Sequence, residues 1–207
     1  PKKIVNSSKF CVIHNAVDRE KYKYSVQKRE EIRGSMGITD QFVIGHVGNF
    51  CYQKNHYFLL DVFEEVHKKD PNTVLLLAGD GVRFEKVRQI VAEKNLEDVV
   101  KLLGRRSDTD YLYQGMDAFL LPSNFEGLPI AGIEAQSAGL PCFMSDEITK
   151  ESKITEACYF IPLKSGAKYW AEEILDNRIE RQSAEFLDNA EQYDLANQDQ
   201  ELKSLIR

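Results

Sequence analysis

The sequence predicts a doubly wound α/β fold: a parallel sheet wrapped by helices, with further helices at the C-terminal end. Two observations predict it. Short, near-continuous apolar runs alternate with stretches of helical periodicity, as in a parallel sheet covered on both faces. The Gly-, Asn- and Asp-bearing motifs also fall at or just after the ends of those apolar runs, where open α/β sheets hold their ligands.

Taken in order, the predicted strands are Phe10–His14, Phe42–Val47, Val74–Ala78, Val99–Leu103, Ala118–Leu121 and Cys142–Ser145. Each is a short apolar segment bounded by polar or turn-forming residues. Helices are predicted over Val26–Met36, His56–Lys68, Arg83–Lys94, Asp108–Gln114 and Pro129–Ala138. The second of these sets Phe58, Leu59, Val62, Phe63 and Val66 on one stripe. After Tyr159–Ile161 the composition shifts, and Ala167–Asn177 and Arg178–Arg207 read as increasingly polar helices. The last, from Leu195 to Ile206, carries only a thin apolar stripe, which predicts packing on something outside the chain.

A chain of 207 residues can bury one good core. Its 43% hydrophobic and 29% charged residues are those of a globular protein. A net charge of −6 argues against a nucleic-acid surface. A basic cluster, Lys21, Lys23, Lys28, Arg29 and Arg33, alternates with Glu30 and Glu31 and reads as a solvated helix face. No apolar stretch reaches the length of a membrane span, and no signal peptide is evident. Cys11, Cys51, Cys142 and Cys158 lack metal spacing and predict reduced thiols in a cytosolic protein. His14, His46, His56 and His67 show no ligand spacing, so no metal is expected. The chain opens Pro1-Lys2-Lys3 without Met and enters a strand almost at once, as an excised domain or a processed product would.

The most informative run is Phe119 to Pro141, FLLPSNFEGLPIAGIEAQSAGLP. It reads as a buried strand, a loop bearing Glu126, then a helix opened by Gly127-Leu128-Pro129, with Glu134 inside it. Pro129 suits the first helical position, leaving the amides of Ile130, Ala131 and Gly132 as free donors for a phosphate at the positive end of the helix dipole. Helical side chains lean toward the N-terminus, so Glu134 points at whatever sits on the helix mouth. A carboxylate there suits not a phosphate but a neighbouring diol such as a ribose. The plainer alternative is an ordinary strand-loop-helix with two surface acids.

Glu126 and Glu134, seven residues apart, with Pro122-Ser123 before and Gly139-Leu140-Pro141 after, resemble the sugar-donor site of retaining GT-B glycosyltransferases. The nearest group is family 4, especially the bacterial capsular and exopolysaccharide enzymes. Ile13-His14-Asn15-Ala16-Val17-Asp18, Gly45-His46-Val47-Gly48, Lys54-Asn55-His56, Leu77-Ala78-Gly79-Asp80-Gly81 and Leu103-Gly104-Arg105 follow in the order that resemblance requires. It covers about Phe10 to Leu163.

The resemblance implies one Rossmann-like half of a GT-B fold. Residues 1–163 would form the nucleotide-sugar donor domain. Residues 164–207 would pack on it and on an N-terminal, acceptor-binding domain that these residues do not include. It implies transfer of a sugar from a nucleotide diphosphate sugar, first of all a UDP-sugar, to a glycan or lipid-linked acceptor with retention, without a required cofactor or metal. The fragment alone is expected to be inactive. A cytoplasmic setting is implied, extending to peripheral association with the inner face of the membrane through the missing half.

Residue by residue, the resemblance places Glu126 against the donor sugar and Lys54 on the diphosphate. Gly48, Asn49, Gly79 and Gly81 would wall the nucleotide pocket, and Leu103 and Arg105 would meet the base. Gly127, Leu128 and Ile130 would bind sugar or diphosphate, and Glu134 the ribose hydroxyls. Two positions depart from the family pattern. Asn49 stands where an Arg usually pairs with the Lys, a role Arg105 or Arg106 could partly fill, and Pro129 replaces a glycine and removes a donor. Two alternatives stand beside this reading. One is a stand-alone nucleotide-sugar binding or interaction module. The other, a flavodoxin-like regulatory domain, is disfavoured because His14-Asn15 occupies the end of the first strand.

Overall fold

The structure, a computed structural model, describes residues 15–198. The strand predicted at Phe10–His14 and most of the terminal helix predicted to Ile206 lie outside those residues.

Among the described residues six strands form one sheet: β1 (Phe42–Val47), β2 (Thr73–Ala78), β3 (Val100–Gly104), β4 (Ala118–Leu121), β5 (Cys142–Ser145) and β6 (Cys158–Ile161). Their order is β3-β2-β1-β4-β5-β6 and every pairing is parallel. The chain therefore winds outward from β1 to β3, returns, and winds outward again from β4. The reversal between β1 and β4 opens a crevice at their carboxyl ends, the place where such sheets bind ligands. β6 is a strand that the composition alone did not reveal. At four residues, with Tyr159 and Phe160 only half-buried, it is defined by its register with β5.

Among the described residues the sheet is accompanied by the helices α1 (Arg19–Tyr22), α2 (Val26–Ser35), α3 (His56–Lys69), α4 (Phe84–Glu93), α5 (Thr109–Gly115), α6 (Ile130–Ser137) and α7 (Gly166–Asp176). Successive strand residues point to opposite faces, and the core divides accordingly. Val43, Leu76, Phe119, Leu121 and Met144 meet Ile32, Leu112 and Ile133 on one face. Ile44, Leu75, Leu77, Leu120 and Phe143 meet Leu59, Phe63, Val87 and Trp170 on the other. Each such fully buried side chain contributes about 1.5–3 kcal/mol of transfer free energy. No helix among the described residues is long and apolar enough to cross a membrane.

Three expectations need correction. The helix read over Arg178–Arg207 is not continuous: residues 178–187 are irregular and lead into a 3-10 segment, Asp188–Tyr193, residues 195–198 are helical, and the remainder of that span lies outside the described residues. The cause is tertiary. Arg181 is drawn into the protein, where its guanidinium donates to the carbonyls of Tyr113 at 3.0 Å and Ala138 at 2.7 Å, at the ends of α5 and α6. Those carbonyls carry the negative end of each helix dipole, so a cation is favourable there.

The basic cluster is not uniformly a solvated face. Arg33 is only 6% exposed. It and Arg29 clamp Asp117, with Arg33 Nη1 3.1 Å from Oδ2.

Pro129 is the residue before α6, not its first residue, with extended backbone at φ −80° and ψ 102°. Among the thiols, Cys51, Cys142 and Cys158 are free, the latter two buried.

Candidate functional site

The site is assembled by three loops at the carboxyl ends of β1, β2 and β4. Backbone bonds staple the first two together. Gly48 N donates to the carbonyl of Ala78 at 3.0 Å, Phe50 N to that of Asp80 at 2.9 Å and Arg83 N to that of Phe50 at 2.9 Å. Gly79 N reaches on to the carbonyl of Gly104 at 2.8 Å, which brings the end of β3 into the same wall. Approach this close demands glycine. Gly79 has φ +143°, and a Cβ on it would stand 1.9 Å from the Gly48 carbonyl oxygen. At Gly81, φ +152°, a Cβ would come 2.7 Å from the carbonyl oxygen of Phe50.

Behind these loops lies a cavity of about 490 Å³. Five of the residues singled out from the sequence line it: Gly48, Asn49, Gly79, Gly81 and Arg105. Leu103 does not. Arg106 lines the cavity too, but its Nε donates to Asp108 at 2.8 Å, so much of its charge is already answered. Arg105 is exposed, with no carboxylate partner among the described residues.

Lys54 and Glu126 meet across the crevice between β1 and β4. Asn55 takes the left-handed conformation, φ 55°, which asparagine tolerates better than most residues, and turns the chain from Lys54 into α3. The two loops are tied by Asn124, whose N donates to the carbonyl of Gln53 at 2.8 Å and whose Nδ2 donates to that of Tyr52 at 2.7 Å. The Lys54 ammonium donates directly to Glu126 Oε1, which also accepts from Ser123 Oγ at 3.1 Å. The Glu126 side chain is 4% exposed and that of Lys54 15%, so the pair is largely removed from water.

Two imidazoles pack beside the lysine. His46 is fully buried, and Nδ1 lies 2.8 Å from the Leu120 carbonyl. A carbonyl only accepts, so Nδ1 carries the proton and Nε2 is left as an acceptor. His56 stacks on Phe50 with ring centroids 4.0 Å apart and meets His46 edge-on at 4.8 Å. Burial, then each other's charge and that of Lys54, holds the His46 pKa well below its ordinary value. Burial followed by Lys54 and Arg83 lowers that of His56 to about 4. Both are neutral at pH 7.

The mouth of α6 is the third part. Its Gly132 amide, expected to be free, donates back to the Pro129 carbonyl at 2.9 Å. That leaves the amides of Ile130 and Ala131 as the helix-end donors, with the loop residues Gly127 and Leu128 just before them. Glu134 is half-buried one turn further in. Sequence reasoning missed what holds it: Tyr22 Oη donates to Oε1 at 2.6 Å and Tyr113 Oη to Oε2 at 2.9 Å. Burial and the neighbouring carboxylate raise the pKa of both phenols, so both remain donors. No local pattern flags these tyrosines, since one sits in a four-residue helix and the other among apolar core residues.

Residues 28–194 match the family of glycosyl transferases group 1. A putative glycosyltransferase, EpsF, of Bacillus subtilis is 36% identical over 141 residues, covering 68% of this chain and 37% of that protein. The Escherichia coli UDP-Gal:alpha-D-GlcNAc-diphosphoundecaprenol alpha-1,3-galactosyltransferase is 33% identical over 146 residues, covering 69% and 38%. The chain thus spans little more than a third of the length of these relatives. In fold it is similar to Anabaena HepE, solved in complex with UDP and glucose, with a TM-score of 0.77 at 21% identity over 95% of this chain and 56% of that one. A glycosyltransferase from Rickettsia africae gives the same TM-score at 15% identity, covering 97% and 57%. With the family match spanning most of its length, the chain belongs to the group 1 glycosyl transferases.

Proposed function

We propose that this chain is the donor-binding half of a glycosyltransferase that moves a sugar from a nucleoside diphosphate sugar to a glycan or lipid-linked acceptor, with retention at the anomeric carbon. The observation that carries it is the arrangement at the strand-order reversal. Lys54 and Glu126 face each other across the crevice, and the α6 mouth with Glu134 lies on the β4 side. In this reading Lys54 and the Ile130 and Ala131 amides take the diphosphate, whose negative charge grows as it leaves. Glu126 faces the anomeric carbon, where positive charge develops, and a water-poor setting makes that interaction strong. Gly127 and Leu128 contact the sugar, and Glu134 the ribose hydroxyls. Gly48, Asn49, Gly79 and Gly81 wall the nucleotide, and Leu103 and Arg105 meet the base. No step calls on a metal.

The acceptor side, and any contact with a membrane surface, is proposed to come from protein outside these 207 residues. The match to barely more than a third of each relative supports this. Binding of donor without transfer is then the expected behaviour of the chain by itself. Asn49 favours a second reading, a binding module without catalysis, because one cation of the family pattern is absent. Restored transfer on adding the acceptor-binding half of a relative in trans would decide for the enzyme.

Calorimetric titration of the chain with UDP, GDP and ADP tests the donor site. Saturable binding of one of them, weakened about tenfold or more in Glu134→Ala, is the expected result. Absence of binding to all three would refute the donor-site reading.

A further inference from the structure

Glu134 does not stand alone at the helix mouth. Each of its two oxygens already accepts one phenolic hydroxyl, from Tyr22 at 2.6 Å and from Tyr113 at 2.9 Å. Both tyrosines are rigidly placed. Tyr113 is fully buried, and its hydroxyl also lies 3.2 Å from the Ala131 carbonyl. Tyr22 is 6% exposed and its ring meets that of Tyr113 edge-on at 5.8 Å. Its carbonyl accepts from Gln114 Nε2 at 3.0 Å, while Gln114 Oε1 receives the Ser25 amide at 2.9 Å. Tyr22 is thus pinned at its backbone and at its hydroxyl, and it ties α1 to both α5 and α6.

An ionised carboxylate offers about four lone-pair sites, two on each oxygen. With one on each oxygen committed to a fixed phenol, one on each oxygen remains, and the carboxylate plane is held in a set direction. Two acceptor sites held at a fixed separation match two vicinal hydroxyl donors. They repel a phosphate, and neither phenol has a proton left to offer one. We infer that Tyr22 is a positioning residue that orients Glu134 to accept both hydroxyls of a ribose cis-diol, making the site selective for ribonucleotides. This rests on the donor-site reading above and adds a residue and a selectivity to it.

The test pairs Tyr22→Phe with the nucleotide's sugar. Whichever of UDP, GDP and ADP binds is titrated beside its 2′,3′-dideoxy form, against the unsubstituted chain, Tyr22→Phe and Tyr113→Phe. Loss of one hydrogen bond to a charged group predicts that Tyr22→Phe raises Kd for the ribonucleotide about tenfold. The dideoxy form, having no diol to present, should change less than twofold, because the effect is coupled to the missing hydroxyls. Tyr113→Phe should show the same contrast from the other oxygen, which keeps the test open should either variant fold poorly by thermal melting. Equal weakening of both nucleotides, or unchanged ribonucleotide binding, would overturn the role of Tyr22. The donor site itself would then still stand on the Glu134→Ala result. Failure of the unsubstituted chain to bind any of the three would overturn both.

Discussion

The two acids of the site are held in opposite ways. Glu126, on the β4–α6 loop, is nearly buried and paired with a cation, Lys54, across a crevice. Glu134, inside α6, is half-buried and held by two neutral hydroxyls from rigid aromatic residues. A charge pair can be broken by a stronger anion: a diphosphate drawing Lys54 away would leave Glu126 uncompensated at the moment when positive charge develops on the sugar. Neutral hydroxyls on packed rings are less readily drawn off by an anion than a lysine ammonium, so Glu134 would keep its direction. In the proposed reading one acid changes partner and the other holds still.

Breaking the pair should cost more than breaking the cradle. Lys54→Met leaves a buried carboxylate with only Ser123 Oγ and should destabilise by about 3 kcal/mol in urea denaturation. Lys54→Met combined with Glu126→Leu should recover at least half of that loss, because no charge is left stranded. Glu134→Gln keeps the shape and an acceptor for one phenol and should cost about 1 kcal/mol or less.

Acid should act on the same side of the site. His46 and His56 are neutral in the folded protein, with pKa values depressed below the ordinary 6.5 of the unfolded chain. Below 6.5 the unfolded chain therefore binds more protons, so stability falls as pH drops. For His56 the loss accumulates from about 6.5 down to about 4, at no more than ~1.4 kcal/mol per pH unit. Neither ring nitrogen of His56 has a hydrogen-bond partner among the described residues, so His56→Phe should flatten this acid limb without loss of stability at pH 7. Thermal melts across pH 4 to 7 would show it, and an unchanged limb would place the acid sensitivity elsewhere. The smallest effect concerns the missing cation. Asn49 is exposed on the cavity wall, and Asn49→Arg should tighten nucleoside diphosphate binding about threefold at low salt, an effect that fades as salt rises.

The sheet and the chain path to the site were legible in the sequence because their signals are local. Strands Phe42–Val47, Ala118–Leu121 and Cys142–Ser145 appear with the bounds that their apolar runs dictate. The glycines lining the cavity were legible for the same reason, since a loop after a strand is a local feature. What stayed hidden depends on distant partners. Tyr22 and Glu134 are 112 positions apart, and nothing near either announces the other. Residues 178–187 looked helical because polar composition does not reveal that Arg181 is buried against α5 and α6. The Gly132 amide looked free until Pro129 proved to precede the helix, with its carbonyl available as an acceptor.

The most direct test is a crystal structure of this chain with the nucleoside diphosphate that it binds. The account predicts ribose hydroxyls on Glu134, diphosphate on the Ile130 and Ala131 amides, the tyrosine contacts to Glu134 kept, and Lys54 moved from Glu126 to the diphosphate. A nucleotide seated elsewhere, or a bound diphosphate with Lys54 still on Glu126, would contradict it.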